Sequence, residues 1–137
     1  MFGYWPTFHD AEVLRVTLSR DRTIPDATPP FLDLDLYTFD TDGTLTPEGY
    51  YRLTNEVVVS FRFHGLDALM LDGFNQQNVL WELNVAPASD ADGRPILQVD
   101  LPSSFGLGGS FQCKTAEVLA VRPWTDGRAS SSQLRDA

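Results

Sequence analysis

Near the N-terminus, His9-Asp10-Ala11-Glu12 sets an imidazole beside two carboxylates. These are donor types that hold a divalent cation, or that let a carboxylate orient a histidine as general base. A metal-dependent hydrolase of the His-Asp kind needs further ligands downstream, and His64 is the only other histidine. In the competing reading Asp10 caps a turn and His9 orders the chain entering the first strand. The sequence favours this second reading, because a short motif without its remaining ligands specifies little chemistry.

The other chemical candidates are weaker. Ser103-Ser104-Phe105-Gly106-Leu107-Gly108-Gly109-Ser110 is glycine-rich but lacks the Gly-Lys-Ser/Thr end of a phosphate loop. It also leads into a strand pattern, so no helix N-terminus waits for a phosphate. It reads as a flexible hairpin connection. Cys113 lies in a strand pattern, where a buried small hydrophobe is the default role, and no local motif supports a Cys-His nucleophile pair. No Gly-x-Ser-x-Gly elbow is present. The amides of Gly73-Phe74-Asn75-Gln76-Gln77-Asn78 have two open readings. They form a polar recognition edge, or they satisfy backbone groups and tie two strands together.

Charge gives a different kind of candidate. Between positions 31 and 48 stand Asp33, Asp35, Asp40, Asp42 and Glu48, with no Arg, Lys or His. Asp33 and Asp35 share one face of a strand by its two-residue period, and Tyr37 and Phe39 continue that face. Acids beside aromatic anchors suit contact with a basic protein. The plainer reading is a solvated sheet face, with the aromatic pair packed under a loop.

Strands must position all of these groups. Period-2 alternation recurs at 12–20, with Leu14, Val16 and Leu18 on one side. It recurs at 31–39, with Leu32, Leu34 and Leu36 inward, and at 56–64, with Val57, Val59, Phe61 and Phe63 inward. Further strands are predicted at 68–71, 79–85 and 96–101, and a long one at 110–121. Asp40-Thr41-Asp42-Gly43 supplies turn chemistry, and 88–93 an acidic loop. The phase of the last strand slips near Thr115 and Ala116, which calls for a β-bulge there or burial on both faces. Residues 76–83 have a helix as the minor alternative. The pattern predicts a mainly-β domain over residues 1–124, an antiparallel sandwich or strongly curved sheet of about seven to eight short strands. The polar, aperiodic segment 125–137 is expected to be disordered.

The chain has 137 residues, 42% of them apolar, including nine Phe and three Trp. That suffices for one independent core. Its net charge is −9, with 19 acids against 10 Lys and Arg. Nucleic-acid binding needs the opposite surface, and an anionic membrane is disfavoured for the same reason. A basic protein would be steered in, although acidity also serves solubility alone. One cysteine leaves no internal disulfide, and no signal peptide or long apolar run is visible, so a cytoplasmic protein is expected.

The opening Phe2-Gly3-Tyr4-Trp5-Pro6-Thr7-Phe8-His9-Asp10-Ala11-Glu12-Val13 resembles the start of the Immunity protein 50 family of bacterial polymorphic toxin systems. The stretches 73–78 and 104–111 are similar to that family too, and the resemblance extends to about Trp124. It implies a small cytoplasmic protein that protects its cell by binding a cognate protein toxin, with no catalytic residues and no cofactor. Trp5, Pro6, His9, Asp10, Glu12, Asn75 and Asn78 carry the motif, in structural or functional roles. Together with the charge pattern, the resemblance makes Asp33, Asp35, Tyr37, Phe39, Asp40 and Asp42 the expected contacts to a basic toxin. The alternatives are a metal-dependent hydrolase using His9, Asp10, Glu12 and His64, or a β-rich ligand-binding or oligomeric scaffold.

Overall fold

The computed structural model describes residues 8–45, 47 and 51–124, with the backbone alone at 40–45 and 51–55. Trp5, Pro6 and the segment 125–137 lie outside the described residues. The described residues form ten strands and no helix: β1 (Glu12–Ser19), β2 (Phe31–Leu45), β3 (Tyr51–His64), β4 (Asp67–Asp72), β5 (Val79–Leu80), β6 (Asn84–Ser89), β7 (Pro95–Leu101), β8 (Ser103–Phe105), β9 (Gly108–Cys113) and β10 (Thr115–Pro123). They make two antiparallel sheets, ordered β10-β3-β2-β1-β5-β8 and β4-β9-β7-β6. This is the sandwich that alternating half-buried strands require.

The core lies between the inner faces. Leu32, Leu34, Leu36, Val59, Phe61 and Phe63 come from the six-stranded sheet, and Val99, Leu101, Phe111 and Cys113 from the four-stranded sheet. Phe63 stacks on Phe61 and meets Phe111 edge-on across the interface, with ring centroids 5.9 and 5.1 Å apart. Burying each such side chain contributes about 1.5–3 kcal/mol.

Several expectations change at points where the chain bends or bulges. In β1 the register slips between Val13 and Arg15, so Val13 joins Val16 on the core face instead of opposing it. One extra residue reverses the side-chain phase. The predicted turn at 40–43 is part of β2, which pairs with β3 as far as Leu45↔Tyr51 through two register shifts. The predicted strand 79–85 is broken after Leu80, and the helix alternative is absent: β5 belongs to the first sheet, β6 to the second. The strand expected at 110–121 is likewise two strands. β9 ends at Cys113 in the four-stranded sheet, the chain turns at Lys114, and β10 enters the six-stranded sheet. The phase slip at Thr115 is therefore a change of sheet. β10 is exposed throughout, which removes the two-faced burial, and its bulge lies at Leu119, between Val118 and Ala120.

Candidate functional site

The His9 cluster is a brace at the entry to β1. Ala11 N–H donates to Phe8 O and Asp10 N–H to Leu80 O, forming a turn in which Asp10 adopts φ 62°. A short polar residue tolerates that left-handed conformation better than most. The carbonyl of Trp81 can only accept, so His9 Nδ1 donates to it at 2.6 Å, and the imidazole meets the Trp81 ring edge-on at 4.7 Å. His9 Nε2 lies 3.4 Å from Asp10 Oδ2, an ion pair when the ring is protonated.

His64 belongs to another place. Its Nδ1 accepts the Thr28 N–H at 3.1 Å, so Nε2 carries the hydrogen and faces Glu117 Oε1 at 3.3 Å. Glu12 aligns with Tyr37 and Val58, whereas His64 aligns with Phe31 and Ser19. The two histidines thus sit at opposite ends of β1, roughly 20 Å apart at the rise of a strand. Among the described residues no three His, Cys, Asp or Glu are grouped to hold a metal.

The amide run is a tie. Asn78 is buried, its Oδ1 accepts the N–H groups of Asn75 and Leu107 at 2.8 and 3.0 Å, and its Nδ2 donates to Asn75 O at 2.7 Å. Its carbonyl accepts the Val13 N–H. The side chain therefore joins the 73–78 loop to the entry to β9, and the backbone of the same residue adds β1. Gly106, at φ 77°, lets the loop backbone close on this knot: a Cβ there would lie 2.6 Å from Asn78 Oδ1. Gln76 and Gln77 remain exposed. The glycine-rich stretch is correspondingly no flexible linker: it forms β8, the turn holding buried Leu107, and the start of β9.

Asp33, Asp35 and Tyr37 do share the outer face of the six-stranded sheet, but they are already engaged. Register places Asp33 opposite Arg62 and Asp35 opposite Ser60. Arg62 donates through Nε and Nη2 to both oxygens of Asp33 at 2.8 and 2.9 Å, and its guanidinium covers the Phe31 ring at 4.5 Å. The hydrogen bond to Asp33 is the first cause of an Arg62 pKa held above its ordinary value. Ser60 Oγ donates to Asp35 at 2.7 Å, and Arg122 stands 3.8 Å from the same carboxylate. Tyr37 is buried, donates to Glu56 at 2.6 Å and packs against Trp124 and Phe39 at 4.6 and 5.7 Å. Asp40 and Asp42 lie on the continuing backbone of β2, and their side chains are outside the description.

The unmatched charge lies elsewhere. The strands of the four-stranded sheet, DALMLD, NVAPAS, PILQVDL and GGSFQC, contain Asp67, Asp72 and Asp100 and no Lys, Arg or His. Phe111 and Cys113 face the core, so Gly108, Ser110 and Gln112 face out, and register aligns Asp72, Met70 and Asp67 with them. Asp100 pairs with Ser110 on one side and Asn84 on the other, and accepts from Gln98 Nε2 at 3.2 Å. The outer face is thus acidic, floored by small side chains, with Met70 71% exposed at its β4 edge. The strand predicted at 68–71 stops one residue short of Asp67 and of Asp72, which both belong to β4. Their spacing around Leu71 and Met70 was a signal, but only sheet pairing brings Asp100 alongside.

What this structure offers is a two-sheet β scaffold with surfaces for contact. Comparison with protein families agrees with that class: the model of the family described as Immunity protein 50 matches residues 1–124. The chain belongs to this immunity protein family of polymorphic toxin systems. No curated protein and no solved structure matches it.

Proposed function

We propose that this chain neutralises a basic cognate toxin by binding and occluding it in the cytoplasm, and that the outer face of the four-stranded sheet makes the electrostatic contact. The observation that carries the reading is the absence of any cation among the strands bearing Asp67, Asp72 and Asp100. Unmatched carboxylates attract a basic partner over a Debye length, whereas carboxylates already bonded to arginine offer little extra field. Small residues let the partner approach closely, and Met70 supplies an adaptable apolar contact.

The region Asp33, Asp35, Tyr37, Phe39, Asp40 and Asp42 stands second. A basic partner gains from Asp33 and Asp35 only by displacing Arg62 and Arg122.

The test is association kinetics with the product of the adjacent toxin gene. Reversing Asp67, Asp72 and Asp100 to Arg is expected to slow association about tenfold at low salt, with the difference fading at high salt. Reversing Asp33 and Asp35 is expected to damage folding more than the rate. The opposite result moves the contact to the first sheet, and an adjacent gene product that does not bind at all removes the occlusion mechanism.

A further inference from the structure

The four sheet edges are not equivalent. β8 has three residues, β6 carries Pro87 at its centre, and β4 is interrupted by a register shift at Ala68, which adopts φ 52°. Short length, mid-strand proline and local distortion each block the addition of another strand. β10 is different. It runs nine residues from Thr115 with proline only at its end, every residue is exposed, and among the described residues it pairs with β3 alone. Its centre, Val118-Leu119-Ala120-Val121, is uncharged, with both valines and Leu119 more than 40% exposed. Such an edge is a template for strand pairing.

We propose that β10 pairs antiparallel with β10 of a second copy of this chain, joining two six-stranded sheets edge to edge about a two-fold axis between Leu119 and Ala120. The bulge selects this register. In a regular strand, residues an odd number apart point to opposite faces, so Glu117 could not stand opposite Arg122 of an identical strand. Here the extra residue at Leu119 restores the match. Glu117 aligns with Arg62 and Arg122 with Val58, and both lie on the outer face. Val118 aligns with Phe61 and Val121 with Val59, and both lie on the inner face. Centring the axis beside the bulge therefore sets Glu117 against Arg122 twice, and Val118 against Val121 twice. Self-complementarity in charge and in apolar contact is what an isologous interface demands. Arg122 and Glu117 have side chains 54% and 50% exposed, and pairing across the edge exchanges their half-exposed contacts with Asp35 and His64 for each other. The proposal does not depend on the toxin or on the acidic face.

Sedimentation velocity of the full chain over a range of concentrations tests it. The wild type is expected to shift from monomer towards twice that mass as concentration rises, with β10 amide hydrogens becoming more protected from exchange. Glu117→Arg or Arg122→Glu alone puts like charges opposite and is expected to raise the dimer dissociation constant about tenfold. An equimolar mixture of the two variants restores opposite charges and is expected to recover dimer, which general damage to the fold would not do. Val121→Lys, with its fold checked by circular dichroism, is expected to be monomeric throughout and serves if a charge variant fails to fold. A wild type that stays monomeric, a dimer that survives Val121→Lys, or charge variants that fold but give no heterodimer would each overturn the assignment.

Discussion

The two outer faces carry acids in opposite ways. On the six-stranded sheet, cross-strand neighbours answer Asp33 with Arg62 and Asp35 with Ser60 and Arg122. On the four-stranded sheet, Asp100 meets only amides and hydroxyls of its neighbours, and no strand supplies a cation. A count of acids along the chain ranks the first face higher, but a count across the strands ranks the second. The difference teaches that a surface potential is set by who sits opposite whom. Sequence order does not report that.

The contrast requires that the two sheets be held together, and Asn78 is the place to break it. Asn78→Ala leaves the buried N–H of Leu107 without its acceptor and also frees the 73–78 loop. We expect a loss of about 3–4 kcal/mol in urea unfolding. A loss below about 1 kcal/mol would mean the sheets hold each other by packing alone.

Burial at Cys113 probes the inner side of the second sheet. Desolvation pushes its thiol up to about 11. The native state therefore keeps its proton at pH values where the unfolded chain, ionising near pH 8.5, has lost it. Stability is untouched below that point and falls as pH rises from there to about 11, by about 2–3 kcal/mol in all. Comparing wild type with Cys113→Ala isolates this slope, because other groups titrating in the window are common to both. Equal slopes would show that the thiol is not shielded.

The outer faces are compared directly by two milder changes. Arg62→Met leaves the half-buried Asp33 carboxylate without its bidentate partner, and we expect a loss of about 2 kcal/mol after allowing for solvent. Asp100→Asn keeps the local hydrogen bonding and is expected to alter stability by less than about 0.5 kcal/mol. Equal losses in thermal or urea unfolding would abolish the distinction between an engaged face and a free one.

Much of the scaffold was legible. Leu32, Leu34 and Leu36, then Val59, Phe61 and Phe63, declare their core face by alternation, because a strand buried on one side has period two. What alternation cannot say is which sheet a strand joins. Ser110 to Val121 looked like one strand because the apolar pattern continues past Lys114, where the chain changes partners. The slip in phase was visible, and its cause was not. Likewise Asp33 read as a free acid because the arginine that answers it is 29 residues away. The amides of the 73–78 loop declared a polar knot or a recognition edge; the geometry shows the knot at Asn78, while Gln76 and Gln77 stay exposed.

The turn at Lys114 has a consequence in time. Because β10 follows β9 of the other sheet, the six-stranded sheet acquires one edge only after most of the four-stranded sheet exists. Its other edge, β8, likewise waits for β7. Neither complete sheet is made of consecutive strands alone, and pairings such as Thr115 with His64 span long loops. Chains of such high contact order fold in milliseconds to seconds. A newly made copy is thus expected to become competent all at once, late in its synthesis, and to lose its structure in a single transition.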